Sequence, residues 1–441
     1  MSIELITFLM LAILIGVIML GFPIGFSMAG VATFFGIVFI GPQVSNLFML
    51  RMYYYLSDYA LIAIPLFIFL GVVIEKSGIA TRLFDAMYAI LGGLRGGLAM
   101  ATIVASTIFA AATGVVGATV TTMGIIALPA MLKYKYDKAL ATGAICAGGA
   151  LGILIPPSIM ILVYAPTANV SVGAMLIGCF LPGFILSGLY LLYTGYQCYM
   201  HPEKGPAIQM EHRVTIGVKM KMLVTSVLPV CILILAVLGT IFFGLAAPTE
   251  AAAFGAFCAV ILAACYKKLT WQVIKDASLA TTKVSAMVYM VVIGSSFFTS
   301  VFMRLGCGDF VDELVMGLPF GRWGALILMW IIIIIMGCFL DWIGIVMIVV
   351  PIFSPIVVKL GFDPIWFALM NMVVLQTSFL TPPFAYTIFY LKGVAPPEVT
   401  LNDIYRGVVP FILLMLVAVA IFAIFPDILM WPVRMAGLAG G

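Results

Sequence analysis

Residues Gly148–Ala165 read GGALGILIPPSIMILVYA. The run is apolar enough for a bilayer interior, yet Pro156–Pro157 sits in its middle. Neither proline has a backbone N–H, and each ring clashes with the turn before it. Leucine-rich sequence on both sides favours helix, so the stretch predicts two half-helices around a break. Unwound backbone at membrane depth is tolerated only where it is buried in protein or lines a wet cavity. In transporters such breaks bind ions and substrates. A simple kink is the plainer reading, because transmembrane proline is frequent. A second copy decides for the break: Leu375–Leu391 reads LQTSFLTPPFAYTIFYL, with Pro382–Pro383 in the same setting.

Composition agrees. The chain has 441 residues, of which 65% are hydrophobic and 9% charged. Soluble domains carry about 25% charged residues. Mean hydropathy is +1.27. These values describe an all-α polytopic membrane protein and exclude a globular enzyme. The first apolar run leads through Gly21–Phe22–Pro23 into another span, so no cleavable signal peptide is expected. The net charge of +4 lies in short loops and reports topology, so no nucleic acid is expected as a partner. The 8 cysteines are scattered without a CxxC, and both histidines, His201 and His212, share one polar loop. A structural zinc site and a Ser/His/Asp constellation are therefore not expected. No GxxxxGK[ST] motif occurs, so the chain does not hydrolyse ATP by that route.

Outward from the two breaks, apolar runs bounded by charge or Gly/Pro give the spans. Ile3–Leu20 and Pro23–Ile40 form a pair. Val44–Tyr55, with Arg51 and Tyr53–Tyr55, reads as an amphipathic interfacial piece. Tyr59–Ile74 spans, and Ile79–Leu91 lies along the surface as an arm. The segment 96–132 is too long for one helix and is rich in small residues around Thr113–Gly117, which predicts a re-entrant hairpin. The first broken helix covers 137–166, and Val172–Tyr196 follows. A cytoplasmic loop at 206–221 leads to a second set. Met222–Phe243 and Pro248–Ala264 pair, Leu269–Thr282 is interfacial, and Lys283–Met303 spans. Gly306–Leu318 is an arm, 323–360 a second hairpin centred on Asp341–Gly344, and 364–391 the second broken helix. Val408–Phe425 closes the chain, with a tail at 431–441.

The two sets align. Pro23, Gly30, Pro129, Pro156 and Gly178 match Pro248, Gly255, Pro351, Pro382 and Gly407 at offsets between 222 and 229 residues. This predicts an internal repeat over 1–205 and 222–430. Lysines and arginines mark the cytoplasmic side. Lys204, Arg213, Lys219 and Lys221 share a side with Lys267, Lys268, Lys275 and Lys283, while Asp309, Asp312 and Glu313 fall opposite. Ten crossings and two hairpins follow, with both termini periplasmic and the hairpins entering from opposite faces. The repeats are then inverted, which is a secondary-transporter architecture.

Few residues carry charge within the spans. Glu250, in AAPTEAAAFG, reads as a helix-start acid because Pro248 fits the first helical position. Asp341 lies inside the second hairpin. An intramembrane acid is a functional candidate; pairing with Arg304 or Arg322 is the structural alternative. Thr377, Ser378 and Thr381 precede the second proline pair, and Ser158 follows the first. Such hydroxyls usually bond back to their own helix, but beside freed carbonyls they can complete an oxygen cage for a small cation.

The chain resembles the large membrane subunit of TRAP (tripartite ATP-independent periplasmic) transporters, within the wider ion-transporter superfamily. Gly149–Ser158 (GALGILIPPS), Pro248–Ala253 (PTEAAA), Thr381–Pro383 (TPP) and the prolines after each hairpin, Pro129 and Pro351, carry the resemblance, which covers essentially the whole chain. It departs at the first hairpin tip, where Thr113–Gly114–Val115–Val116 replaces a serine-rich turn, and before TPP, where Ser378–Phe379–Leu380 stands in place of glycine. The resemblance implies sodium-driven import of an organic anion, typically a carboxylate. It implies sodium as coupling ion, a small four-helix membrane subunit, a periplasmic substrate-binding protein, the bacterial inner membrane and an elevator motion. Two sodium sites are expected, each between a hairpin tip and the paired break. The first is Thr113 and Gly114 with Gly149 and Gly152, and the second Gly344 with Thr377 and Thr381. Ser158, Asp341 and Ser378 are the substrate candidates. A stand-alone sodium- or proton-coupled anion symporter of the same superfamily is the nearest alternative. An intramembrane enzyme would need more convergent acids than Glu250 and Asp341, and a channel would not need two hairpins.

Overall fold

A computed structural model of the protein describes residues 2–207, 215–317, 321–338, 340–382 and 385–438. Among these residues every regular element is helical. The first half runs α1 (Ile3–Met19), α2 (Ile24–Phe39), α3 (Val44–Leu56), α4 (Ala63–Lys76), α5 (Ile79–Leu91), α6 (Gly97–Thr113), α7 (Val116–Lys133), α8 (Lys138–Ala150), α9 (Ile159–Ala168) and α10 (Val172–Met200). In the second half α11 (Ile216–Met222) passes through a π-helical turn into α12 (Leu228–Phe242). Then come α13 (Pro248–Cys265), α14 (Trp271–Arg304), α15 (Cys307–Met316), α16 (Gly321–Gly337), α17 (Trp342–Lys359), α18 (Pro364–Ser378), α19 (Tyr386–Val394), α20 (Leu401–Ile424) and α21 (Asp427–Met435).

Local chemistry places the interruptions. α8 tightens into a 3-10 turn at Leu151–Ile153 before the proline pair, and α9 resumes one residue beyond it, after Ser158. α18 ends at Ser378 and α19 begins at Tyr386; Pro383 lies outside the described residues. Each broken helix starts on an aspartate. Asp137 accepts from the Leu140 amide and Asp363 from the Trp366 amide, both at 2.9 Å. These caps each satisfy an otherwise orphaned donor. α6 stops at Gly114, whose φ of +65° suits glycine, and α7 starts two residues later. α5 buries Leu83, Phe84 and Met87 and leaves Arg82 and Asp85 exposed, as an amphipathic arm should.

The helices pack as two bodies. In one, α2 crosses α14, α4 packs on α13 and α14, and α12 packs on α13. In the other, α8 packs on α6, α7 and α20, α18 on α16 and α20, and α10 on α6 and α18. The contacts are reciprocal: α2 with α14 mirrors α13 with α4, and α7 with α19 mirrors α17 with α9. α10 and α20 therefore sit with the hairpins and broken helices. Glycine explains this at α8 and α20. A Cβ on Gly143 would lie 2.2 Å from the Gly407 carbonyl oxygen, and one on Gly407 2.1 Å from that of Ala139. Only bare backbones approach so closely.

Two further expectations change. Leu269–Thr282 and Lys283–Met303 are one helix, α14, of 34 residues. At 1.5 Å per residue it is about 50 Å long. Its joint holds no proline, glycine or cap, whereas Asp58 caps the start of the corresponding first-half span by accepting from the Ala60 amide. The loop after α10 is shorter than expected, because α11 already contains Lys219 and Lys221; His212 and Arg213 lie outside the described residues. α3 packs little against the rest of the chain. It buries only Val44 and Tyr55, and Met49, Leu50, Tyr53 and Tyr54 stay exposed. Among the described residues eight helices are long and apolar enough to cross a membrane, α7 and α17 of the two hairpins among them.

Candidate functional site

A cavity of about 780 Å³ opens between the two bodies. From one body it is lined by Phe22–Ile24, by α4 from Ile68 to Glu75, and by α14 from Val284 to Val291. From the other come the tip of the first hairpin (Thr113–Ala118), the start of α17 (Asp341–Ile343), Ile153 and Ile159 beside the first break, and Phe379 and Tyr386 beside the second. Elements far apart in the chain thus converge on one volume.

The first hairpin tip is wedged tightly. A Cβ on Gly114 would lie 2.6 Å from the Pro157 carbonyl oxygen, and one on Gly71 of α4 2.4 Å from that of Thr113. Gly152 faces Val115, with its carbonyl oxygen 3.4 Å from the added Cβ. Thr113, Gly114 and Gly152 are therefore brought together. Gly149 packs elsewhere, against the Val120 side chain of α7. Thr113 Oγ1 donates to the Phe109 carbonyl at 3.0 Å, and Ser158, fully buried, donates to the Ile153 carbonyl. These bonds spend the hydroxyl protons and leave oxygen lone pairs available.

The second tip is built differently. Ser378 packs directly on Gly337 at the end of α16; a Cβ there would lie 1.9 Å from Ser378 Oγ. Thr377 donates to the Val374 carbonyl and Thr381 to the Thr377 carbonyl, each at 2.7 Å. Gly344 is inside α17, against the Ile24 side chain of α2, so the glycine that meets this break is Gly337. Gln376 is fully buried with neither side-chain polar atom hydrogen-bonded among the described residues. Its signal in the sequence is an amide inside an apolar run.

Asp341 is the N-cap residue of α17 and half-buried. Among the described residues no ion pair joins it to Arg304 or Arg322, and Arg322 instead stacks 5.3 Å from the Phe362 ring centroid. Glu75 also lines the cavity. It was missed because its neighbour Lys76 made it look like the end of a span. Glu250 accepts from the Ala247 amide at 2.9 Å at the start of α13, as a helix-start acid, and lies off the cavity.

Residues 11–428 match the family model of the tripartite ATP-independent periplasmic transporter, DctM component. The chain belongs to this family. It is similar to the C4-dicarboxylate TRAP transporter large permease protein DctM of Pseudomonas aeruginosa, 31% identical, with 89% of this chain and 90% of that protein covered. It is 30% identical to the isethionate TRAP transporter permease protein DctMQ of Oleidesulfovibrio alaskensis over 85% of this chain and 58% of that protein. It is 25% identical to the sialic acid TRAP transporter large permease protein SiaM of Vibrio cholerae over 94% and 95%. The YdaH transporter of Alcanivorax borkumensis shares the fold, with a TM-score of 0.60 at 15% identity over 89% and 90% of the two chains. This DctM-family chain is thus a multi-pass transporter permease subunit and not an enzyme.

Proposed function

We propose that this DctM-family permease imports an organic anion, a carboxylate, by sodium symport across the bacterial inner membrane. A periplasmic binding protein delivers the substrate, and a small four-helix membrane subunit completes the assembly. The observation that carries this reading is the shared cavity, which collects residues of both hairpins and both helix breaks. Midplane breaks flanked by oppositely inserted hairpins are how inverted-repeat transporters hold ions and substrate. The reciprocal helix contacts support two repeats related by an axis in the membrane plane.

The coupling cations belong beside the two tips. At the first, the Pro157 carbonyl meets Gly114, the Val115 carbonyl meets Gly152 and the Thr113 carbonyl meets Gly71 of α4. At the second, Ser378 packs on Gly337, and Thr377 and Thr381 carry further oxygens at the same helix end. Such oxygens bind a small hard cation without burying a carboxylate. The cavity reaches Phe22, Glu75 and Val284, which on the lysine-derived topology are the cytoplasmic ends of α2, α4 and α14. This matches an inward-open stage of an elevator in which the hairpin body travels against the scaffold.

The test is uptake into liposomes holding the purified permease and its small subunit, with candidate binding proteins outside. Uptake should require both an inward sodium gradient and the binding protein. Uptake that follows a proton gradient alone, or proceeds without the binding protein, would favour the stand-alone symporter.

A further inference from the structure

The two broken helices are tied to each other by a polar contact deep among the helices. Asn371 of α18 donates through Nδ2 to the Tyr164 hydroxyl of α9 at 2.8 Å, and the two residues are 1% and 0% exposed. Tyr164 lies six residues beyond Ser158 of the first break, and Asn371 seven residues before Ser378 of the second. Each is thus about 10 Å of helix away from its own break. The contact leaves Asn371 Oδ1 with no hydrogen-bond partner among the described residues. An unmade acceptor in the core works against stability. The other repeat shows what the fold itself requires. The offset that relates Pro156 to Pro382 places Ile145 of α8 where Asn371 stands in α18, and Tyr390 of α19 where Tyr164 stands in α9. α8 packs on α19 as α18 packs on α9. Ile145 is fully buried, and Tyr390 lines the cavity with its ring against Gly117. The equivalent helix crossing is therefore built without an amide, so packing alone does not call for Asn371.

We infer that the Asn371–Tyr164 hydrogen bond couples the two cation sites, so that sodium bound beside one break favours sodium beside the other. The inference rests on the sodium symport proposed above. Pro157, whose carbonyl meets Gly114 of the first tip, lies just before α9, and Ser378, which packs on Gly337, is the last residue of α18. An ion that fixes the first break fixes the start of α9. The helix carries that restraint to Tyr164, the hydrogen bond passes it to Asn371, and α18 delivers it to Thr377 and Ser378. Packed helices joined by hydrogen bonds transmit coupling of this kind when their ends have discrete arrangements. Asn371 and Tyr164 are positioning residues and touch neither ion. Coupled filling also keeps the carrier from moving with one ion, which would leak sodium without cargo. The competing role is a bond that only holds two helices together.

A double-mutant cycle separates the two roles. Tyr164→Phe and Asn371→Leu each strand the other partner's polar group in the core, whereas the double variant replaces both by apolar groups of similar shape. Melting temperature and tryptophan fluorescence of the purified full chain are followed against sodium chloride, with choline chloride holding the ionic strength constant. Trp342, at the start of α17, lines the cavity and serves as a reporter. The wild type should bind sodium with a Hill coefficient approaching about 2, the number of coupled sites. Each single variant should melt lower and show a Hill coefficient of about 1, with the half-saturating sodium concentration raised about fivefold. The double variant should regain most of the melting temperature and keep a Hill coefficient of about 1. Cooperativity that returns together with stability means that the bond only holds packing, and overturns the inference. A wild-type coefficient of about 1, or one of about 2 in every variant, overturns it as well and leaves sodium symport standing. A wild type with no sodium response in either readout removes both.

Discussion

The contact between Gly337 and Ser378 makes a sharp test at the scale of single residues. Gly337→Ala places a methyl group into the serine side chain, because both Cβ and Oγ of Ser378 lie within 2.2 Å of the added atom. Overpacking of this kind costs about 1–3 kcal/mol. The variant should melt lower, and adding Ser378→Gly should recover most of the loss. Independent, additive losses in the double mutant would mean the two residues do not touch. Thr381 offers a functional counterpart. Its hydroxyl already donates to the Thr377 carbonyl, so Thr381→Ala removes an oxygen while α18 and its end remain. Sodium activation of uptake should shift to higher sodium with little change in expression, and an unshifted activation curve removes Thr381 from the ion site. Gly114 has no tolerant replacement. With φ at +65° and the Pro157 oxygen 2.6 Å from any Cβ, Gly114→Ala combines backbone strain with a clash. It should cost at least about 1–3 kcal/mol in thermal unfolding.

Helices and their joints show what a sequence can say about itself. Both breaks and both arms lie where proline and glycine predict, because those residues act through their own backbone, whatever packs around them. The first hairpin turn is legible for the same reason, since Gly114 needs its positive φ. The continuity of α14 was not legible. Lys283 looks like an interfacial boundary, and the helix runs on through it to pack against α2 and α4. Nor could the sequence choose between Gly337 and Gly344, since which glycine meets Ser378 is decided by tertiary approach. Glu75 is illegible for a related reason: next to Lys76 it reads as a span end, and only the fold brings it onto the same cavity as Asp341. One prediction concerns the α8–α20 crossing. Gly407→Ala must push two backbones apart, since the obstructing atom is the Ala139 carbonyl oxygen, so it should lower the melting temperature more than Gly393→Ala, where no atom lies within 4 Å. Equal effects would show that the crossing is looser than the geometry requires.

At the scale of the whole molecule, the two bodies meet at α4 and the first hairpin tip, and relative motion there is measurable. Val72 and Thr113 both line the cavity. Ile64 lies 8 residues back along α4, about 12 Å away toward the opposite membrane face. Cysteines at Thr113 and Val72 should cross-link in the resting protein. Cysteines at Thr113 and Ile64 should cross-link only when sodium and loaded binding protein are present. A single depth under every condition would count against a travelling body. Reporter fusions after Gly205 and at Gly441 should give opposite signals; matching signals would remove the inverted repeat. The reciprocal packing also has a consequence for how such a protein can be made. α9 of the first half rests on α17 of the second, and α19 of the second on α7 of the first. α9 also touches α4 and α10 of its own half, but α17 arrives only with the second half, so the ribosome delivers the first half to the membrane with that central surface still waiting for its partner. Synthesis must finish before the core exists. A gene cut between the halves should yield two fragments that are degraded when made separately and accumulate when made together.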